Sequence, residues 1–212
     1  MPSSSSSLNG TELLIEYFES FNQIHPDMKQ VMERDCSVII FKKNKHISSP
    51  LDLKPSLYFI LKGSVRGFVR DEGEEITTWL ATERNIVGLT LFDKQYNIQR
   101  QQFIQALETT HAIVIPHTLI MELFTFPQMH KLARNLLWYH YHEADERNFL
   151  IRIPTAEKRI QRLIETHPHL YQRIPSKHLA GFLGIREETL SRLKAKINRT
   201  RSASYSPYPG NH

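Results

Sequence analysis

Residues 174–198 read Ile-Pro-Ser-Lys-His-Leu-Ala-Gly-Phe-Leu-Gly-Ile-Arg-Glu-Glu-Thr-Leu-Ser-Arg-Leu-Lys-Ala-Lys-Ile-Asn. Ser176 can cap a helix through its hydroxyl. Leu179, Phe182 and Leu183 follow at i, i+3 and i+4, the spacing of one buried helix face. Gly184 stands where a sharp turn between helices needs a residue without Cβ, and Ile185 plugs the turn into a core. A second helix is expected from Glu187, with Leu190, Leu193 and Ile197 pointing inward. Two short helices around a tight glycine turn have the spacing of a helix-turn-helix.

The outward face of the second helix carries Glu188, Arg192, Lys196 and Arg199 at i, i+4, i+8 and i+11. In a helix-turn-helix this face meets base edges in the major groove. Arg192 can donate two hydrogen bonds to guanine O6 and N7, and Glu188 can accept one from a cytosine amino group. Ser176 and Lys177 on the first helix, with Ser191, Lys194 and Lys196 on the second, suit phosphate oxygens. The alternative for Glu188–Arg192 is a surface ion pair worth a few tenths of a kcal/mol.

Charge supports the first reading. Of 212 residues with a net charge of +5, residues 151–212 hold 12 Lys+Arg against 4 Asp+Glu, a net of +8. Residues 1–150 hold 15 against 18, a net of −3. A basic module after a slightly acidic one fits a polyanionic partner or a merely solvated basic surface.

Upstream, residues 127–150 have helical periodicity: Leu132, Leu136 and Tyr139 form one stripe, and Leu137, Tyr141 and Ala144 an adjacent one. So wide an apolar face needs two covers. These are its own sheet and the same helix of a second subunit, or else complete burial within one chain. Ile153-Pro154 ends this helix or bends it. Thr155 caps the next, with Lys158 and Arg159 exposed and Ile160, Leu163 and Ile164 inward. Between Cys36 and Pro116 lie short strands at 38–41, 57–61, 65–70, 76–80, 103–107 and 111–115, with a turn at Asp71–Glu74. This density of strands predicts a barrel or sandwich. A helix is expected over 11–33, broken or restarted at Pro26. Residues 1–10 and 200–212 have the low-complexity or Pro/Ser/Tyr-rich composition of flexible ends.

The order of elements resembles the cyclic-AMP receptor protein/fumarate–nitrate regulator (Crp/Fnr) superfamily of transcription factors over about residues 11–198. The most specific match is Leu183-Gly184-Ile185-Arg186-Glu187-Glu188-Thr189-Leu190-Ser191-Arg192, similar to that family's recognition segment. Leu61-Lys62-Gly63-Ser64-Val65 is similar to its glycine turn between barrel strands. The resemblance implies an α+β chain. Its parts are a cyclic-nucleotide-binding-like barrel (a double-stranded β-helix, 11–126), a dimerisation helix (127–150) and a helix-turn-helix domain (151–199). It puts Glu187 beside Glu188 and Arg192 among the base-reading residues, and Thr189 among the phosphate contacts. Leu132, Leu136, Leu137, Tyr139 and Tyr141 then form the seam of a homodimer on a pseudo-palindromic DNA site. RNA polymerase is a further candidate partner.

The family's ligand cassette is degenerate here. Gly88 is kept, but Leu89 stands where a glutamate would hold a ribose hydroxyl. Arg100 matches the phosphate-binding arginine, with Gln101 replacing the small residue after it. Cyclic AMP is therefore not expected to bind tightly, and the effector is unknown. Arg100 either meets a different anion or is a surface arginine. The single cysteine, Cys36, cannot hold a four-cysteine iron–sulfur cluster or form an intrachain disulfide. His140 and His142, at i and i+2, face different ways, so no metal is expected. No nucleophile elbow or phosphate loop points to an enzyme. The alternative is a small-ligand sensor whose helical domain contacts a protein. No apolar run spans a bilayer and no secretory signal opens the chain, so a cytoplasmic location is expected.

Overall fold

The computed structural model describes residues 10–50, 56–88 and 102–204. The chain divides into two compact units, Met1–Glu146 and Arg147–His212.

The first unit opens with α1 (Gly10–Glu19) and α2 (Pro26–Asp35). The expected break is real. Pro26 takes the first helical position of α2, where its missing N–H costs nothing, and His25 Nδ1 accepts from Asp27 N–H at 3.3 Å. Among the described residues eight strands follow: β1 (Ser37–Phe41), β2 (His46–Ser48), β3 (Ser56–Lys62), β4 (Val65–Asp71), β5 (Glu74–Ala81), β6 (Ile86–Gly88), β7 (Phe103–Ala106) and β8 (Thr110–Pro116). They form two four-stranded antiparallel sheets, β1-β8-β3-β6 and β2-β7-β4-β5. β2 and β6 were not foreseen, since three residues are too few to show a period of two.

Alternation in the strands gives the first sheet two apolar faces. Ile60, Ala112 and Val87 join Ile47, Val65, Ala81, Ile104 and Ala106 of the second sheet in a core between the sheets. Phe59, Ile113 and Ile115 face the other way, into a cluster with Leu14 and Phe18 of α1, and Met28 and Met32 of α2. Leu119 and Leu123 of α3 (His117–Leu123) and Leu132 of α4 (Pro127–Arg152) complete that cluster. Asn135 anchors α4 by donating from Nδ2 to the Phe21 carbonyl at 2.8 Å.

The second unit contains the end of α4, then α5 (Ala156–Thr166), α6 (Pro168–Arg173), α7 (Ser176–Leu183) and α8 (Glu187–Ser204). Thr155 caps α5 as expected, its side chain accepting from Lys158 N–H at 3.3 Å. The flexible tail expected from residue 200 is helical as far as Ser204; residues 205–212 lie outside the described residues, as do residues 1–9 of the expected disordered start. Gly10, assigned to that start, opens α1. No helix among the described residues is long and apolar enough to cross a membrane.

Candidate nucleic-acid interface

The second unit buries Ile160 and Leu163 of α5, Leu170 of α6, Leu179, Phe182 and Leu183 of α7, and Leu190 of α8. Both helices of the motif are thus held by their apolar faces. Gly184 joins them in the left-handed conformation, φ +63°. Its N–H bonds to the Gly181 carbonyl at 3.2 Å, and Ile185 N–H to the Ala180 carbonyl at 3.1 Å. This paired closure ends a helix abruptly and suits glycine.

With Leu190 buried, α8 turns Glu187, Glu188, Ser191 and Arg192 to solvent. The two carboxylates sit in the first turn, where the helix dipole favours negative charge. Lys177 on α7 is exposed, and Ser176 and Thr189 are half-buried. Ser176 is not the cap: Pro175 takes that position with extended backbone, no side chain bonds the helix end, and Ser176 is the first helical residue. A proline's fixed φ already suits the entry to the helix.

Two of the expected phosphate residues are engaged within the unit. Lys194 lies over the Tyr171 ring, 4.9 Å from its centroid, and donates to the Tyr171 carbonyl at 3.5 Å. Burial pulls its pKa below the usual lysine range. Lys196 pairs with Glu157 of α5 at 3.0 Å.

Arg159, expected on the exposed face of α5, is half-buried. Its Nε donates to the Ile153 carbonyl at 2.7 Å, and one terminal nitrogen donates to the carbonyls of Leu183 at 2.8 Å and Gly184 at 3.2 Å. Periodicity placed it one residue from the buried Ile160 but gave no sign that its acceptors lie in the turn of the motif.

The α4 seam residues separate into two groups. Leu132 is 0% exposed and Leu136 is partly buried against the same cluster. Both face the protomer's own core, so Leu132 cannot lie in a seam between protomers. Tyr139 packs edge-on against Phe21, ring centroids 5.7 Å apart. Leu137 is 70%, Tyr141 59% and Trp138 57% exposed. The outward stripe therefore runs through 137, 138 and 141, and the first of the two sequence stripes is the inward one.

Of the degenerate cassette, only Gly88 is described; Leu89, Arg100 and Gln101 lie outside the described residues. Gly88 ends β6 with φ +122°, and a Cβ there would collide with the Ser56 carbonyl oxygen of β3. Close strand packing accounts for this glycine without a ligand. Burial pushes the Cys36 thiol up to about 12. Among the described residues no group of three or more His, Cys, Asp or Glu could hold a metal ion.

The architecture is thus an antiparallel two-sheet unit followed in sequence by a helix-turn-helix unit with an exposed, mixed-charge second helix. Solved structures share this fold. A Crp/Fnr-family transcriptional regulator from Eubacterium rectale matches with a TM-score of 0.65 at 17% identity, covering 87% of this chain and 88% of that one. FixK2 from Bradyrhizobium japonicum matches at 0.63 and 16%, covering 83% and 89%. In sequence, the fumarate and nitrate reduction regulatory protein of Yersinia pestis is 25% identical over 162 residues, 70% of this chain and 64% of that protein. The chain therefore spans just under two thirds of that curated relative. No protein-family model matches the chain. In fold the chain is thus similar to solved Crp/Fnr-family regulators, and in sequence to curated regulators of fumarate and nitrate reduction.

Proposed function

We propose that the protein is a sequence-specific, DNA-binding transcription regulator that acts as a homodimer. The observation that carries this reading is the exposed face of α8. Glu187, Glu188, Ser191 and Arg192 are presented at the leading end of a helix whose opposite side is fixed in a core through Leu190. A helix so held enters the major groove N-terminus first. Arg192 donates to guanine O6 and N7, and Glu188, with Glu187 beside it, accepts from a cytosine amino group. Ser176, Lys177, Thr189 and Ser191 contact phosphate and set the register. Lys194 and Lys196 reach phosphate only by leaving Tyr171 and Glu157, so their share of the affinity is smaller.

The outward stripe of Leu137, Trp138 and Tyr141 is the seam of the dimer. Two-fold symmetry then demands a pseudo-palindromic site with half-sites about one helical turn apart. Cyclic AMP should not bind tightly, because the sequence has Leu89 where the resembled family has a glutamate for the ribose hydroxyl. RNA polymerase is a candidate partner of the DNA-bound dimer.

The test is selection of bound duplexes from a random pool, followed by titration. Arg192→Ala should cost about 1–3 kcal/mol on the selected site and relax preference at one base pair. Equal loss on selected and random DNA would make Arg192 a phosphate contact. Binding should weaken with salt at a log–log slope of about −0.9 per phosphate neutralised. No enrichment from the pool and no salt-dependent duplex binding would leave the protein-contact reading in its place.

A further inference from the structure

We propose that Arg159 is the positioning residue that holds α8 at the angle to α7 needed for sequence-specific reading; this rests on the DNA-binding function proposed above. The Gly184 closure satisfies the carbonyls of Ala180 and Gly181. The carbonyls of Leu183 and Gly184, at the negative end of α7, take their donor from Arg159. The same guanidinium reaches the Ile153 carbonyl, just beyond the end of α4. One rigid, permanently charged fork thus ties three backbone points, two of them in the turn between the helices. Gly184 keeps room for it: a Cβ there would stand 3.3 Å from the Arg159 terminal nitrogen, on a backbone already left-handed.

A change of angle at Gly184 is carried along α8. Glu188 and Arg192 lie one and two turns beyond the turn, and their hydrogen bonds to base edges tolerate little displacement. Flexible contacts to phosphate tolerate more. Loss of Arg159 should therefore lower the ratio of specific to non-specific affinity more than it lowers non-specific affinity. A residue needed only for stability would lower the unfolding midpoint and leave that ratio unchanged in the folded fraction.

The experiment uses the full chain with Arg159→Met and Arg159→Lys. Anisotropy titrations compare the selected duplex with a shuffled one. Electron–electron resonance, without DNA, measures the distance between spin labels at Lys177→Cys and Ser191→Cys in a Cys36→Ser background. For R159M we expect the affinity ratio to fall about tenfold, the equivalent of one misread base pair, and the distance distribution to broaden. R159K keeps the charge but cannot span three carbonyls, and should fall between R159M and wild type. A ratio within twofold of wild type with an unchanged distance distribution overturns the proposal. Should R159M not fold, R159K decides, and wild-type behaviour in both measurements overturns the proposal. Should the unsubstituted chain bind no duplex, the DNA reading fails, and the distance distribution alone still decides whether Arg159 sets the angle.

Discussion

Leu137→Asp separates the outward face of α4 from its inward face. Leu137 is 70% exposed in the protomer, whereas Leu132, five residues earlier, is 0% exposed. Full burial of a leucine side chain is worth about 1.5–3 kcal/mol, so covering the exposed part of Leu137 is worth about 1–2 kcal/mol per protomer. A two-fold interface counts the residue twice, for about 2–4 kcal/mol. The substitution also places an unpaired carboxylate on each side, at a cost of at least about 1 kcal/mol each. The dimer should weaken by about 4 kcal/mol or more, roughly a thousandfold in dissociation constant. Sedimentation equilibrium over a concentration series measures this directly, and circular dichroism checks that the protomer stays folded. Leu132→Asp should instead unfold the first unit, because its carboxylate would enter the core shared with Phe59 and Leu119. A folded L137D protein with an unchanged dissociation constant would refute the assignment of the seam. An L132D protein that stays folded would refute the inward assignment of that stripe.

Leu163→Ala, at a fully buried position of α5, should destabilise the second unit by about 2–5 kcal/mol, read as a lowered urea midpoint for helix loss. Ser176→Ala should leave stability within about 0.5 kcal/mol, because the hydroxyl caps nothing, while weakening selected and random duplexes alike if it meets phosphate. A lowered midpoint would show that Ser176 has a structural role after all. Burial raises the Cys36 pKa from 9.0 to about 12. The folded state therefore holds its proton more tightly than the unfolded state. The resulting stability is complete below pH 9 and is lost as pH rises toward 12. Iodoacetamide at about pH 8.5 should accordingly modify the native chain far more slowly than the guanidinium-unfolded chain, since the thiolate is the nucleophile. Equal rates would place Cys36 in a solvated environment.

The helix-turn-helix was legible because each helix puts its apolar residues on one side at 3.6-residue spacing, and because the left-handed backbone at 184 favours glycine. The longer strands were legible for the same kind of reason: their alternation is fixed by two faces with different neighbours. β2 and β6 were too short to show a pattern, and their pairing depends on residues far away in sequence. Arg159 was misread because a half-buried arginine among backbone carbonyls looks, in sequence, like any exposed one. Ser176 was misread because a good capping residue beside Pro175 concealed that the proline had already set the entry. The two stripes of α4 were both visible, but periodicity marks faces without saying which one meets the protomer's own core. Only the packing of Leu132 with Met28, Met32 and Leu119 settles that.

The sign of the charges on α8 matters more than their sum. Residues 151–212 carry a net of +8, yet the leading turn of α8 holds two exposed glutamates. Near phosphate these carboxylates repel, so they subtract from binding wherever the duplex offers no compensating donor. At a cytosine amino group the same carboxylate gains a charge-assisted hydrogen bond. Under the DNA-binding reading, the surrounding lysines and arginines attract any duplex, and the glutamates lower that attraction everywhere except at a matching base. A uniformly basic face would bind all sequences more tightly and distinguish them less. Such discrimination holds only if the glutamates are kept over base edges and away from the backbone. The Gly184 turn, Leu190 in the core and the Arg159 clasp together hold the leading end of α8 in place.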